Sequence, residues 1–419
     1  MGENKKQNNM SLYFICLIVF GILGNHVWQK YRPAVWSFYF DHRLVIAAIL
    51  AIFVVLAYMA LVKKAKLKIQ NYKKDKEIIS NTGLDSVFVG YTTDSKAVYI
   101  KNSQRLMHVQ VVGTTNAGKT ASVIEPLAID DIEKNRGFIM IDGKGESTVL
   151  NKLYAYAVKS GRSKDFRIFS LSDYEKSHTF NPLVGGEVDE VVSKVFKAFG
   201  LNHEHYGNLQ LGVLKNALYI FRGANEIPTF VKLWQAISDP AKLHALAIRG
   251  EDPLQIEWAE EFLSRNKDER RKDVSGLLGK LDLFATGDTS QLFNTYFPNI
   301  NVDQIMKEGL IAYFQLPVLK KPDLGKAVAK MVLQDIQSST SNRHDKADKN
   351  HKFFTVYLDD FTEYLTEEFT SILNKSRSAN VSVVFAHQAV GDLERLGDNV
   401  KNVILTNANL KVFMRTNEP

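Results

Sequence analysis

The sequence predicts an α/β fold: a P-loop nucleotide-binding domain interrupted by an all-α insertion and preceded by a two-helix transmembrane hairpin. Three observations predict it. A short apolar run leads into a glycine-rich phosphate loop within 106–120. A central stretch repeats its apolar residues every three to four positions and carries no strand signal. Two long apolar spans stand near the amino end.

The amino-terminal element is a membrane anchor over 1–76. Residues 11–28 form a mostly apolar span, and 44–62 are nineteen residues without a charge, enough to cross a bilayer as a helix. Asn25 and His26 sit near the end of the first span, and Lys5 and Lys6 precede it like the start of a signal peptide. No small-x-small cleavage site follows; Trp28, Lys30 and Tyr31 come next, so the span reads as an uncleaved anchor. Trp28, Tyr31, Trp36, Phe38, Tyr39 and Phe40, in or beside the loop between the spans, fit an interfacial aromatic belt. Lys63, Lys64, Lys66, Lys68, Lys73, Lys74 and Lys76 follow the second span and put that end in the cytoplasm, which makes the anchor two-pass with both ends inside. The lysine run either holds anionic membrane lipid or is a plain stop-transfer flank.

The chain of 419 residues has room for two or three domains, and its 45% hydrophobic and 24% charged content is ordinary for a globular protein. Cys16 is the one cysteine, which excludes an intrachain disulfide and a cysteine metal cluster. Residues 1–77 hold twelve Lys/Arg and four Asp/Glu, a net of +8. Subtracting that from the total of +7 leaves −1 for the rest, so the basicity belongs to the anchor, and any nucleic-acid contact by the body is local.

The first part of the nucleotide-binding domain covers 77–184. Segments 86–90 and 96–100 read as two short strands with a turn at 91–95, a hairpin leading into the next strand. Leu106, Val109, Val111 and Val112 form that strand. Gly113, Thr114, Thr115, Asn116, Ala117, Gly118, Lys119 and Thr120 then match GxxxxGK[ST] in full, and Val123, Ile124, Leu127 and Ile129 begin a helix. The glycines allow backbone shapes that a Cβ blocks, so successive N–H groups turn inward on a phosphate. The helix adds its unpaired N-terminal N–H groups and the positive end of its dipole. Lys119 is expected to reach the β/γ-phosphates of ATP, and the Thr120 hydroxyl to ligate Mg²⁺. The bland alternative is an accidental glycine-rich turn.

A buried strand at 137–142 ends in Asp142-Gly143-Lys144-Gly145-Glu146, a polar turn at the place where open α/β sheets bind ligands, unless it is an ordinary connecting turn. Strand 166–171 and the segment Phe180-Asn181-Pro182-Leu183 follow. From 185 to 290 helical spacing dominates, at 189–199, 209–222, 229–238, 254–265 and 274–284, and the charged run 265–273 reads as solvated surface.

The second part covers 291–419. It begins with a strand at 309–316 stopped by Pro317, a helix at 324–340, and a polar surface loop at 342–352 whose histidines have no convincing metal partner. The apolar strand 353–360 ends in Asp359 and Asp360, the Walker B form. Asp359 is expected to hold Mg²⁺, usually through water. Asp360 stands where a Glu usually orients or deprotonates the attacking water; it is one methylene shorter, with Glu363 as a fallback. Two Asp residues capping the next helix would be the structural alternative. Strand 381–388 closes on Gln388, an amide placed to sense the γ-phosphate, and His387 reads as its packed neighbour. Arg377, before that strand, is a candidate arginine finger into a neighbouring subunit's site, and Arg415 competes with it.

These motifs together resemble the coupling proteins of type IV secretion systems, the membrane-anchored ATPases of bacterial conjugation. The likeness runs over nearly the whole chain: the hairpin, 113–120, the turn at 141–146, 180–183, the helical insertion, 357–361, 376–388 and 411–419. The turn is more specific to that family than the P-loop. The resemblance implies a RecA-like domain, a hexameric homo-oligomer around a channel, and the bacterial inner membrane. It also implies partners: single-stranded DNA with its relaxase, or protein effectors, presented to the inner-membrane components of the secretion channel and pumped with ATP. Two departures stand out. Asp360 replaces the family's usual Glu, and the chain stops at Pro419 just after a strand, so the second part reads as truncated at its C-terminus. Two rival readings stay open: a chromosome-translocase-type DNA pump, and a nucleotide-gated docking platform that scarcely hydrolyses.

Overall fold

Four strands hold the middle of this protein and are buried along their whole length: β4 (Gly137–Asp142), β6 (Ile311–Gln315), β7 (Phe354–Asp359) and β8 (Val381–His387). Continuous burial rather than alternation is what a parallel sheet covered on both faces requires. In the computed structural model these strands, with β3 (Val109–Val112), β5 (Phe166–Ser170) and β9 (Leu410–Phe413), form one seven-stranded sheet in the order β5-β6-β4-β7-β8-β3-β9. Every pairing in it is parallel. The register aligns the carboxyl ends: Val112 lies beside His387, and Asp142 lies between Asp359 and Gln315. The P-loop after Val112, the turn after Asp142, Asp359 and Gln388 therefore lie along one rim.

The structure describes scattered residues of 29–66, including the helical run 51–63, and 83–419 except 202–204, 346–350, 367–368, 390, 395–396 and 416–419. The chain divides into two units, Met1–Asn81 and Thr82–Pro419. The expected span 11–28 lies outside the described residues, as does part of 44–62. Among the described residues no helix is long and apolar enough to cross a membrane.

In the second unit, alternate residues of each strand enter two cores. On one face Phe138, Met140, Tyr313 and Tyr357 pack with Leu127 of helix Glu125–Glu133 and Leu153 of helix Ser147–Lys159. On the other face Ile139, Ile141, Phe169 and Phe314 merge with Phe180, Phe230, Phe284 and Phe293. Between β5 and β6 every described element from Val188 to Ala285 is a helix. Its aromatic residues continue the sheet's own core: Phe169 meets Phe314 at 5.7 Å, and Phe230 stacks on Phe284 at 4.4 Å. The hairpin of β1 (Ser86–Tyr91) and β2 (Ala97–Lys101) pairs antiparallel and leads into β3 through the single helical turn Asn102–Arg105.

At three places the chain departs from its sequence pattern. Helix Pro240–Gly250 was not expected; only Asp239 separates it from helix Phe230–Ser238, and it buries just Pro240, Leu243 and Ala247, too few for a clear periodic signal. Residues 267–273 are largely exposed, as a charged run suggests, but they open helix Lys267–Ala285. Asn266 caps that helix through the Asp268 amide (2.9 Å), while the Arg270 guanidinium donates to Leu263 O (2.9 Å) and Arg265 O (3.0 Å) and so closes the preceding helix. In 342–352, helix Pro322–Asp345 runs further than the polar composition suggests, and His351 Nε2 lies 2.8 Å from Arg343 O.

Candidate nucleotide site

β3 delivers the phosphate loop to the sheet rim. Asn116 (φ 62°) and Gly118 (φ 87°) take left-handed backbone, which curls the loop. Among the described residues none accepts a hydrogen bond from the backbone N–H of Asn116 or Gly118, as a cradle for an anion requires. A Cβ on Gly113 would stand 2.9 Å from Met414 Cβ, so the first glycine is imposed by packing against the residue that follows β9. The Arg415 carbonyl accepts the Thr114 N–H (3.0 Å) and the Thr114 hydroxyl (3.1 Å), which fastens the loop to that same segment.

Lys119 is 5% exposed and turns back on the loop, donating to Gly113 O (2.7 Å) and Thr114 O (3.2 Å). Burial lowers its pKa, with the charges of Asp360 and Asp359 working against that shift. The Thr120 hydroxyl donates to Asp359 Oδ2 at 2.7 Å. Among the described residues Asp359 Oδ1 accepts only the neighbouring Asp360 N–H (3.1 Å), and Asp360 makes no side-chain cap on the 3₁₀ turn Phe361–Glu363. The helix-capping alternative for the two carboxylates is therefore not what they do. The Thr hydroxyl beside a nearly buried carboxylate is a hard-oxygen pair of the kind Mg²⁺ takes with only one or two protein ligands, so these residues fit the cation. Among the described residues there is no cluster of three or more His, Cys, Asp or Glu suited to hold a metal by protein ligands alone.

Asp360 adopts left-handed backbone (φ 49°), which swings its carboxylate to Lys144 Nζ at 3.4 Å. Burial raises the pKa of Asp360, Asp359 adds to the rise, and Lys144 opposes it. Burial also acts against the Lys144 ammonium, but Asp359 and Asp360 outweigh it and hold Lys144 above its ordinary value. β8 lies between β3 and β7, so Gln388 just beyond it emerges between the two motifs, and the Thr115 hydroxyl donates to its Oε1 at 3.0 Å. His387 is buried, with Nδ1 donating to Ala389 O (2.8 Å) and Nε2 facing Gln110 Nε2 (2.9 Å). It is the packed neighbour the sequence suggested. The site is the rim itself; a cleft of about 650 Å³ lined by Lys194, Asp335 and Gln337 includes none of these residues.

The fold that carries this arrangement occurs in known proteins. The chain is 20% identical over 383 aligned positions to the type 4 coupling protein DotL of Legionella pneumophila, covering 77% of this chain and 49% of that one. The plasmid coupling protein TrwB, solved with a non-hydrolysable ATP analogue, superposes with a TM-score of 0.56 at 12% identity, covering 81% of this chain and 76% of TrwB. The chain has the fold of a coupling protein. TrwB solved with ADP and Mg²⁺ gives a TM-score of 0.53 at 11% identity over 77% of this chain and 73% of TrwB. VirB4 of Thermoanaerobacter pseudethanolicus gives 0.55 at 14% over 81% and 86%. No protein-family model matches. The chain spans about half the length of the curated relative it matches.

Within that coupling-protein fold, two expected residues lie elsewhere. Arg377 precedes β8, at the end of the sheet opposite the P-loop, and is exposed, so it takes no part in this chain's own site. Arg415 is exposed beside the loop its carbonyl supports. Glu363 pairs with Lys326 (3.0 Å), which leaves Asp360 as the acid at the rim after Asp359. The sequence did not reveal what holds the turn after β4. Asp142 Oδ1 accepts the Lys144 N–H (2.9 Å) and the Gly145 N–H (3.1 Å), and its Oδ2 accepts the Tyr313 hydroxyl (2.8 Å). Burial lifts the Asp142 pKa to about 6, the Tyr313 hydrogen bond opposing and the Asp359 charge adding. Gln315 and Tyr364 complete the support, donating to Gly145 O and to Asp359 O, each at 3.0 Å. The one sequence signal for this group was the polar turn itself.

Proposed function

We propose that the chain is an ATP-driven motor of the coupling-protein type, which brings a relaxase–DNA or protein substrate to a type IV secretion channel and drives it through. The observation that supports this most is the convergence of Lys119, Thr120, Asp359 and Asp360 at one rim, with the Thr120–Asp359 contact at 2.7 Å. In this reading the loop 113–120 binds the ATP phosphates, Lys119 leaves its own carbonyls for the β/γ-phosphates, and Thr120 and Asp359 hold Mg²⁺. Bound Mg²⁺ neutralises charge on the phosphate oxygens. Asp360 orients and deprotonates the attacking water, and Gln388 senses the γ-phosphate. Arg377 or Arg415 completes a neighbour's site in a hexameric ring. The domain is RecA-like, divided into 77–184 and 291–419 by the all-α segment 185–290, and 1–76 anchors it in the bacterial inner membrane as a two-pass hairpin with the lysine run at the lipid.

Supporting this reading are the likeness to DotL and the nucleotide complexes of TrwB. The test is steady-state ATP hydrolysis by the detergent-solubilised full chain, with and without single-stranded DNA. DNA-stimulated turnover that Lys119→Ala abolishes supports the motor. Nucleotide binding with no turnover, restored by Asp360→Glu, would favour the second reading: a nucleotide-gated docking platform. The Lys144–Asp360 contact, which occupies the candidate base, is the observation in favour of that alternative.

A further inference from the structure

The turn 142–146 does more than pass beneath the site. Its shape is fixed from three sides. Asp142 accepts the Lys144 and Gly145 amides, and Gln315 holds Gly145 O. Gly145 (φ 70°) packs so closely on Pro317 that a Cβ would stand 2.9 Å from Pro317 Cβ. The segment after β6 is tied to the turn by the backbone as well: the Leu316 N–H donates to Asp142 O (2.9 Å) and the Val318 N–H to Gly143 O (3.0 Å). Leu319, next to Val318, is 86% exposed. At the other end of this unit Lys144 Nζ lies 3.4 Å from Asp360 Oδ2.

We infer that Lys144 is a positioning residue that restrains Asp360, holding the carboxylate on an ammonium and away from the direction that water activation needs. This rests on the reading of Asp360 as the group that activates water. A carboxylate shared with an ammonium has a lone pair engaged and a fixed direction. Both are penalties for a group that must accept a proton from water placed by the substrate. The Lys144 side chain is 38% exposed and that of Asp360 is 20% exposed, so solvent screens the pair and it is a weak restraint, not a fixed lock.

The test compares the full chain with Lys144→Met, Lys144→Arg and Asp360→Asn, measuring kcat and KM for MgATP. Lys144→Met keeps the length of the side chain without its charge and is expected to raise kcat roughly fivefold with KM unchanged, the factor that corresponds to about 1 kcal/mol for a partly exposed pair. Lys144→Arg retains the pairing and is expected to stay near the parent, which separates restraint from a packing effect. A fall in kcat in Lys144→Met, or no change, with Asp360→Asn still inactive, overturns the inference and makes Lys144 a contributor to the reaction or a bystander. Turnover that survives in Asp360→Asn overturns the assignment of Asp360, and the inference with it.

Discussion

The hydroxyl of Thr120 and the carboxylate of Asp359, 239 residues apart in sequence, meet at 2.7 Å at the carboxyl rim of the sheet. β3 and β7 carry them there on either side of β8. Asp359→Asn keeps the size of the side chain and removes its charge. ATP hydrolysis is expected to fall about 100-fold or more, because charge stabilisation at the phosphates is lost. A Mg²⁺ titration of turnover, comparing parent and variant, checks this.

Lys119 spends its hydrogen bonds on Gly113 O and Thr114 O. In the proposed role an incoming phosphate would exchange with a carbonyl instead of desolvating a free ammonium. Lys119→Ala is expected to weaken ATP binding about 10- to 100-fold, the range of one charge-assisted hydrogen bond. Stability without nucleotide should change little beside that. Thermal unfolding with and without a non-hydrolysable ATP analogue measures both quantities, and an undiminished ligand-induced rise in Tm in the variant would contradict the placement.

Far from the rim, Arg105 and Asp131 form a fully buried fork: Nη1 to Oδ1 and Nη2 to Oδ2, both 2.7 Å. Arg105 also donates to Thr355 Oγ1 and to the Tyr357 oxygen, each at 3.0 Å, and the Tyr357 hydroxyl donates to Asp131 Oδ2 (2.6 Å). The cluster joins the turn before β3 and the helix after it to β7. Burial works against the charge on Asp131, yet Arg105 holds its pKa down at about 2. Arg105→Met strands that carboxylate and is expected to cost about 3–5 kcal/mol. Denaturant unfolding is the measurement, and the double variant with Asp131→Asn is expected to recover part of the loss.

His108 makes the fold sensitive to mild acid. Its Nδ1 accepts the Val383 N–H (3.2 Å), so the ring proton sits on Nε2, 3.0 Å from Leu373 O. Burial lowers its pKa from 6.5 to about 4. A base whose folded pKa lies below its unfolded one binds protons more tightly when unfolded. Stability is thus intact above about pH 6.5 and falls as the pH drops towards 4. Tm measured from pH 7.5 to 5 is expected to decline, and His108→Asn, which tolerates the left-handed backbone at this position (φ 62°), to flatten the decline while lowering Tm overall.

What was legible in the sequence was local. The P-loop and the Asp359-Asp360 pair are written in consecutive residues, and an apolar run ending in either needs no partner to be read as a strand. The helical run between β5 and β6 was legible by period, except at 240–250, where two buried aliphatic positions make no pattern. The Lys144–Asp360 contact was not legible, because it depends on the left-handed backbone of Asp360 and on a turn shaped by Tyr313 and Gln315 from another strand. Nor was Arg105, which follows Asn102, Ser103 and Gln104 in a stretch that reads as polar surface and becomes interior only when β7 arrives.

The strand order has a consequence for synthesis. β3 pairs only with β8 and β9, both of which lie close to the other end of this sequence. At translation rates of roughly 5–20 residues per second, β3 waits about 15–60 s on the ribosome before its first partner exists. Its unpaired backbone N–H and C=O edges and its apolar faces are uncovered throughout. Such a chain depends on protection while it is being made, and slower translation after β3 lengthens that interval.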